Sequence, residues 1–199
     1  MKKRDLLMVG VGGQGIVLAS DILGEVALAT GYDVKKTDTL GMAQRGGSVV
    51  SHVRIANKVW SPLIKEGDVD VLVAFEKLEA ARWSYYLQAG GVAIVNNQST
   101  PPLSVSLGTH RYPGDKEIEG ALRQRAERIY FVDGTDKAKE LGDIRTLNML
   151  MLGCVSFLLP IEADIWKDCI SQRLSPNILK INMAAFDKGR EEMSSANLR

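Results

Sequence analysis

The chain contains few of the residues that several classes of protein require, beginning with cysteine. Only two cysteines, Cys154 and Cys169, occur among its 199 residues. Two thiols cannot build a disulfide framework. Without ligands from another chain they are also too few for a structural zinc site or an iron–sulfur cluster. Both lie in apolar, helix-like segments, so we expect two buried, reduced thiols.

The chain also lacks an excess of charge and a long hydrophobic run. Lys and Arg number 25 and Asp and Glu number 24, so the net charge is +1 and a nucleic-acid partner is not indicated. The longest later apolar run, residues 149–159, is too short to span a bilayer and ends at Pro160. The apolar stretch after the basic N-terminus is shorter than a signal peptide needs. These features predict a cytoplasmic protein without a membrane segment.

Groups that transfer protons or act as nucleophiles are scarce as well. The two histidines are His52, within a predicted strand, and His110, in a polar loop. A structural or interface role is favoured for His52 over a catalytic one, and His110 is expected to be solvated. The sequence shows no Ser-His-Asp arrangement and no nucleophile elbow. We therefore assign no catalytic residue and no metal ligand to this chain.

What the sequence does contain is an alternation of strands and helices. Its hydrophobic fraction of 45% is typical of globular proteins, and its length fits one domain of about 100–200 residues. The apolar run Leu6–Val9 predicts a strand buried on both faces. An amphipathic helix follows from Gly13 to Gly31, and a second strand is predicted over residues 32–36. The first part of the chain therefore predicts a β-α-β unit.

The alternation continues to residue 134 and then stops. Residues 48–55 and 59–63 predict a β-hairpin. The next predicted elements are strand 69–75, helix 76–88, strand 92–95, a short strand 103–107, helix 115–127 and strand 129–132. Residues 135–159, 161–174 and 175–193 predict helices only, with an interruption at Gly142. The predicted fold is one α/β domain, residues 1–199. It has a Rossmann-like, open, mostly parallel sheet with an inserted hairpin in residues 1–134, and a helical part in residues 135–199.

The most informative motif is a first glycine loop, residues 10–15, which matches G-x-G-x-x-G between a strand and a helix. Glycines permit a tight turn and close approach of a pyrophosphate, and the start of the helix attracts anions. Three interpretations stay open: a phosphate or nucleotide site, a structural turn, and a loop reached by a partner's cofactor. The candidate binding residues are Gly10, Gly12, Gly13, Gln14 and Gly15.

A second glycine loop, residues 41–48, follows the second predicted strand. Its candidate binding residues are Gln44, Arg45, Gly46, Gly47 and Ser48. An arginine beside glycines is suited to bind a phosphate or a carboxylate. The alternative is that Arg45 caps a helix or pairs with Asp38. Each loop follows a strand, so both are expected at the carboxyl edge of the sheet, where open α/β folds bind ligands.

Several segments resemble a known family. They are the first glycine loop, residues 41–49 with 52–55, residues 75–82, residues 141–148 with 152–153, and Asn182, Ala185, Phe186 and Gly189. Together they resemble the small (beta) subunit of indolepyruvate:ferredoxin oxidoreductase and, more broadly, the gamma-type domain of the 2-oxoacid:ferredoxin oxidoreductases. The resemblance extends over nearly the whole chain. The stretch at residues 42–45 favours the aryl-pyruvate branch over the pyruvate and 2-oxoglutarate branches.

The resemblance implies a heteromeric oxidoreductase in which this chain is inactive alone. A large (alpha) subunit would hold thiamine diphosphate and iron–sulfur clusters. The complex would convert indolepyruvate, coenzyme A and oxidised ferredoxin to indoleacetyl-CoA, carbon dioxide and reduced ferredoxin. The two glycine loops would face the active-site side of the interface. Arg45 and Gln44 would meet a phosphate of coenzyme A, a phosphate of the partner's cofactor, or the substrate carboxylate.

Two other functions stay open on the residues alone. The chain could be a free-standing nucleotide-binding protein, although the acidic residue expected after the second strand is poorly matched by Asp33 and Asp38. It could also be a scaffold whose glycine loops only shape an interface. A gamma subunit for pyruvate or 2-oxoglutarate is the nearest alternative within the family.

Overall fold

The computed structural model describes residues 3–41 and 46–196, whose strands form a six-stranded sheet of order β2-β3-β1-β4-β5-β6. The strands are β1 Arg4–Val11, β2 Asp33–Leu40, β3 Ser48–Ala56, β4 Val69–Ala74, β5 Leu87–Asn96 and β6 Ala126–Val132. Strands β1, β4, β5 and β6 are parallel neighbours, and β3 is antiparallel to both β1 and β2. The predicted open, mostly parallel α/β sheet is confirmed.

The described residues form eight α-helices, which cover both faces of the sheet. They are α1 Ile16–Ala29, α2 Lys77–Trp83, α3 Leu103–Ser106, α4 Asp115–Arg123, α5 Gly134–Glu140, α6 Leu147–Leu158, α7 Ala163–Arg173 and α8 Pro176–Ala196. Leu6 and Met8 of β1 belong to the core beneath α1 and α6–α8. Leu7 and Val9 belong to the opposite core beneath α2 and α4. The apolar run therefore forms a strand buried on both faces, as its composition predicts.

The predicted hairpin lies in a different place. Strand β3 pairs with β2 and β1, whereas residues 57–68 form no strand and expose Trp60. Six of the nine residues of β3 are buried, so its backbone needs a ladder partner on each side. A short stretch interrupted by Pro62 cannot supply that partner. The hairpin is formed instead by β2 and β3.

The two strands of the first β-α-β unit are not neighbours in the sheet. Strands β1 and β2 run in the same direction, but β3 lies between them and separates their backbones. Helix α1 leads from β1 to β2 over one face, and α2 leads from β4 to β5 over the other. The chain therefore reverses its winding direction between β1 and β4, which is the position where open α/β sheets bind ligands.

Two predictions in the middle of the chain are wrong. Helix α2 ends at Trp83, and after a 3-10 turn strand β5 begins at Leu87, so Gly90 and Gly91 lie within a strand rather than after a helix. The glycines mark a register shift between β5 and β6. Residues 103–106 form a short, partly exposed helix behind Pro102 instead of a strand.

The C-terminal third is helical, as predicted. Gly142, with a φ of 106°, separates α5 from a 3-10 turn over Ile144–Thr146. Helices α6 and α8 cross at two glycines. A Cβ placed on Gly153 would overlap the carbonyl of Phe186, and one placed on Gly189 would overlap the carbonyl of Leu150. This close crossing brings α8 into the core that covers β1.

Both cysteines are free and buried, which confirms that prediction. In the part of the chain that the structure describes, no helix combines the length and apolarity needed to cross a membrane. The same residues contain no cluster of three or more His, Cys, Asp or Glu side chains that could hold a metal ion.

Candidate ligand-binding cleft

The first glycine loop connects β1 to α1 through two residues with left-handed backbone. Gly13 has a φ of 104° and Gly15, which precedes the helix, has a φ of 75°. These conformations favour glycine because other residues carry a Cβ that meets the backbone there. Among the described residues no acceptor takes the backbone N–H of Gly13 or Gly15. The loop therefore presents donors at the start of a helix that has no side-chain cap.

Gln14 holds this loop against the end of β4. Its Oε1 accepts a hydrogen bond from the Val11 N–H at 2.8 Å, and its Nε2 donates to the Phe75 carbonyl at 3.1 Å. Gly10 lies beneath the same contact, since a Cβ there would lie 2.6 Å from Gln14 Oε1 and 2.8 Å from Phe75 Cβ. Gln14 and Gly10 thus position the loop at the point where the winding direction reverses.

A buried amide extends this arrangement to β5 and β6. Asn96, at the end of β5, donates from Nδ2 to the Phe75 carbonyl at 3.0 Å and to Thr135 Oγ1 at 2.9 Å. Its Oδ1 accepts from the Thr135 N–H at 3.1 Å. Hydrogen bonds around the Phe75 carbonyl therefore join the ends of β1, β4 and β5 to the start of α5. This network fixes the carboxyl edge of the sheet.

The second glycine loop adjoins the first. The Gly12 N–H donates to the Gly47 carbonyl at 2.8 Å, and the Gly46 N–H donates to the Gly12 carbonyl at 3.4 Å. Ser48 pairs with Val11 in the β1–β3 ladder. The prediction that both loops lie at one edge is confirmed for these residues. Two of the candidate residues, Gln44 and Arg45, lie outside the described residues.

Two buried carboxylates support the loops from the opposite core. Glu79 accepts a hydrogen bond from Ser48 Oγ at 2.5 Å and pairs with Arg82 at 2.7 Å. Glu76 accepts from the Glu79 N–H, from the Thr100 N–H at 2.9 Å and from the Tyr112 hydroxyl. Burial and the bond to Glu76 raise the pKa of Tyr112. The segment 75–82 therefore holds both the second glycine loop and the loop after β5.

Beside the first glycine loop the described residues enclose a cleft of about 560 Å³. Four segments line it: residues 13–18, 98–100, 135–148 and 174–182. The last two come from the turn between α5 and α6 and from the start of α8. Sequence reasoning places the glycine loop here but misses the remaining walls. Within these walls, the sequence analysis singles out only residues 141–148 and Asn182. It does so because they resemble the family, and it does not identify them as part of a site.

The cleft combines a cationic rim with an apolar wall. Lys139 and Arg145 lie at the rim. Arg145 forms a forked pair with Asp143, with contacts of 2.6 and 2.9 Å, and this pairing lowers the pKa of Asp143. Leu18 and Leu147 contribute to the apolar wall. An anion joined to an apolar or aromatic body is the kind of ligand that such a lining accommodates.

His52 lies apart from the cleft and has a structural role. Its Nδ1 accepts a hydrogen bond from the Ile64 N–H at 3.3 Å, and its ring meets the edge of Tyr86 with centroids 5.7 Å apart. Burial, with a smaller effect of Arg54, lowers the pKa of His52. The neutral ring therefore anchors the loop between β3 and β4, as the structural interpretation predicts.

Comparison with known proteins places this fold and its loops in a family. The model of the pyruvate ferredoxin/flavodoxin oxidoreductase family matches residues 5–192, which include both glycine loops and all the walls of the cleft. The chain belongs to the pyruvate ferredoxin/flavodoxin oxidoreductase family. The family resemblance given by the sequence motifs is confirmed.

Members of this family that are similar to the chain belong to enzymes named for different 2-oxoacids. The chain is 35% identical over 192 residues to the indolepyruvate oxidoreductase subunit IorB of Pyrococcus horikoshii, with 95% of each chain covered. It is 28% identical over 198 residues to the 2-oxoglutarate synthase subunit KorC of Methanothermobacter thermautotrophicus, covering 95% of this chain and 94% of KorC.

A solved structure shows the same fold inside a larger chain. It is a 2-oxoglutarate:ferredoxin oxidoreductase from Magnetococcus marinus with 2-oxoglutarate, coenzyme A and succinyl-CoA bound. The TM-score is 0.75 at 22% identity, and the match covers 98% of this chain and 32% of that one. At this identity the likeness concerns the fold. It shows that the fold of this chain is also found as one part of a longer polypeptide.

Proposed function

We propose that the chain is the small subunit of an indolepyruvate:ferredoxin oxidoreductase. In this reaction an aryl pyruvate loses carbon dioxide, its acyl group forms a thioester with coenzyme A, and the released electrons reduce ferredoxin. The observation that carries the proposal is the end-to-end match to IorB. The higher identity to IorB than to KorC favours an aryl pyruvate over 2-oxoglutarate as the substrate.

The proposal assigns the cofactors to a large partner subunit. Thiamine diphosphate supplies the carbanion chemistry of decarboxylation when bound, and iron–sulfur clusters carry the electrons. The donor set of this chain agrees with that division, because Cys154 and Cys169 are both buried in helices and the described residues offer no group of metal ligands. We further propose that residues 1–199 form one domain and that the complex is cytoplasmic.

The role proposed for this chain is to bind and orient at the interface with the partner. The ligand is a phosphate of coenzyme A, a phosphate of the partner's cofactor, or the substrate carboxylate. The proposed binding residues are Gly10, Gly12, Gly13, Gln14, Gly15, Gln44, Arg45, Gly46, Gly47 and Ser48. Support comes from the N–H groups of Gly13 and Gly15, which meet no acceptor within residues 3–41 and 46–196. Gly10, Gln14 and Ser48 are already engaged within the chain, so their contribution is to hold the loops.

The function is tested by co-expressing the chain with its large subunit and purifying the complex without oxygen. Dye reduction that requires both indolepyruvate and coenzyme A is the expected result. Reduction with pyruvate or 2-oxoglutarate in preference to aryl pyruvates would contradict the substrate assignment. A chain that elutes alone, without a partner that contains iron and thiamine, would contradict the subunit assignment.

The role of the second glycine loop is tested separately with Arg45→Ala in the assembled complex. We expect a higher KM for coenzyme A or for the aryl pyruvate, according to which anion the guanidinium meets. Arg123→Ala, on the exposed face of α4, removes the same charge away from both loops and serves as the matched control. Unchanged turnover and unchanged KM values in Arg45→Ala would exclude Arg45 as a ligand-binding residue.

A further inference from the structure

We propose that the large partner subunit docks a carboxylate-bearing segment on an aromatic patch at the amino edge of the sheet, opposite the glycine loops. This amino-edge patch is defined by Trp60, Leu63 and Tyr85. The proposal rests on the proposed function, which supplies the partner, and adds a second contact surface to it. Strand β1, with eight residues, separates this edge from the first glycine loop by about 25 Å. The amino-edge patch therefore lies outside the cleft.

The amino-edge patch consists of large apolar side chains that face water in the isolated chain. Trp60 is 86% exposed, Leu63 is 60% exposed and Tyr85 is 44% exposed. A contiguous group of such side chains on a soluble protein marks an interaction site. Tryptophan and tyrosine are also among the residues that contribute most to binding at protein interfaces.

His52 connects the loop that carries Leu63 to the tyrosines. Its Nδ1 accepts a hydrogen bond from the N–H of the residue after Leu63, and its ring meets the edge of the Tyr86 ring. The centroids of the Tyr86 and Tyr85 rings lie 4.9 Å apart. Leu63 and Tyr85 therefore belong to one surface, which Trp60 extends by three residues of chain.

The loop that carries Trp60 is fixed on both sides of this residue. Val59 and Ile64 are buried, and the Val59 N–H donates to Asp33 Oδ2 at 2.9 Å. After Trp60, two carbonyls of the loop accept hydrogen bonds from Arg54 Nη1 at 3.2 and 3.0 Å. Because this backbone is already ordered, docking on Trp60 costs little conformational entropy.

The Trp60 end of the amino-edge patch is positively charged. Four cations share two carboxylates there, which leaves two positive charges in excess. The pairs are Lys3 and Arg54 with Asp5, and Lys35 and Lys58 with Asp33. Lys58 Nζ lies 5.4 Å from the centroid of the Trp60 ring, and the Lys58 side chain is 62% exposed. A partner that covers Trp60 therefore needs carboxylates beside its apolar groups.

A small cavity beside Trp60 gives such a segment an anchor point. Its volume is about 190 Å³, and three cations, Lys3, Arg54 and Lys58, lie in its wall. Cofactor sites are larger, roughly 300–1,000 Å³, so this cavity suits a side chain of a protein partner. An aspartate or glutamate placed there would meet the ammonium groups of Lys3 and Lys58.

The large subunit is the one stable partner that the proposed function supplies. Obligate interfaces bury about 2,000 Å² or more in total and are rich in apolar side chains. An interface of that size extends well beyond two glycine loops. A second copy of this chain is a poorer fit, because two patches that meet at Trp60 would bring Lys3 and Lys58 of both copies together.

The test measures the affinity of the full-length chain for its large subunit, which is purified without oxygen and immobilised for interferometry. Trp60→Ala is expected to weaken association at least tenfold, mainly through faster dissociation. Leu28→Ala is the matched control, because Leu28 is 58% exposed at the end of α1, on the other face of the sheet. This control should leave association unchanged. Unfolding midpoints equal to that of the parent chain establish that both variants fold.

Lys58→Gln tests the charge of the amino-edge patch separately. We expect association to weaken severalfold and to depend less on salt concentration. Lys188→Gln, on α8, also neutralises a partly exposed lysine and is the control. An unchanged dissociation constant in both Trp60→Ala and Lys58→Gln would overturn the proposal. A dimer of the isolated chain that Trp60→Ala dissociates would assign the patch to a second copy and overturn the proposal as well.

Turnover by the assembled complex separates this proposal from the proposed function. A complex that turns over aryl pyruvates and associates equally well with both variants would refute the patch and leave the function standing. A complex that is weakened by Trp60→Ala but turns over no aryl pyruvate would refute the function and support the patch as a docking surface.

Discussion

The crossing of α6 and α8 allows one stability prediction to be developed quantitatively. At Gly189 an added methyl group would overlap the Leu150 carbonyl, and at Gly153 it would overlap the Phe186 carbonyl. Both obstacles are backbone atoms, which cannot rotate aside as a side chain can, so the two helices would have to separate. Overpacking costs about 1–3 kcal/mol, and we place Gly189→Ala near 3 kcal/mol because the backbone must move.

Part of this cost is offset, because alanine favours helix over glycine by about 1 kcal/mol. The expected net loss in the free energy of unfolding is therefore about 2 kcal/mol, or a fall in Tm of about 4–8 °C for a chain of this size. Gly153→Ala is expected to behave similarly. The measurement is urea unfolding followed by far-UV circular dichroism, with the midpoint and slope compared between variants.

Gly120→Ala is the matched control, because Gly120 lies in the exposed part of α4 and a Cβ there meets nothing within 4 Å. We expect it to stabilise the chain by about 0.5–1 kcal/mol through helix propensity alone. The reasoning fails if Gly189→Ala and Gly153→Ala unfold within about 0.5 kcal/mol of the parent chain, or if Gly120→Ala destabilises it as much as they do.

Three further predictions concern groups away from the cleft. Arg54→Ala removes the forked partner of the fully buried Asp5 carboxylate, which keeps Lys3 at 2.8 Å, so the free energy of unfolding should fall by about 2 kcal/mol in denaturant titrations. Because burial lowers the pKa of His52, the unfolded chain binds this proton at a higher pH than the folded chain. The free energy of unfolding therefore decreases as the pH falls below 6.5, the ordinary pKa of histidine. His52→Gln should reduce this dependence of stability on pH, and His110→Gln is the control. Burial raises the pKa of the Cys154 thiol to about 12, so iodoacetamide should label Cys154 only after unfolding, and rapid labelling of the native chain would contradict the buried position.

The central part of the fold could be predicted because its signals are local. The run Leu6–Val9 and the glycines after it determine a buried strand, a turn and a helix start within about 15 residues of chain. The apolar residues Ile16, Ala19, Leu23, Val26 and Ala27 recur at helical spacing along α1. This spacing predicts one buried face, and all five are buried in the structure. The shared edge of the two glycine loops follows from strand direction and is confirmed where the loops are described.

The hairpin was placed wrongly because β2 carries little hydrophobic signal. The residues between Val34 and Leu40 are all charged or polar. Such a composition is suited to an edge strand, but a search for apolar runs does not detect it. Its polar side chains are satisfied locally. Lys36 bonds Asp21 and Asp38, and Asp38 accepts from Ser51.

The far walls of the cleft could not be predicted because they are remote in sequence. Asn148 and Asn182 come close to the first glycine loop only after α5–α8 fold back over the sheet. Nothing in their local pattern distinguishes them from other asparagines at helix starts or on helix faces. What distinguishes Asn148 and Asn182 is that both are buried beside the first glycine loop, and that is a property of the folded chain.

The position of β3 also has a consequence for how the chain is made. Strand β1 forms first on the ribosome, but its two neighbours in the sheet are β3 and β4, which end at residues 56 and 74. Until β3 has been made, β1, which is buried on both faces in the folded chain, has two open edges and no ladder partner. A nascent chain stalled before residue 48 would carry a ready template for pairing between chains. Premature termination in this region should therefore give aggregates, whereas chains that extend past β4 can complete the centre of the sheet.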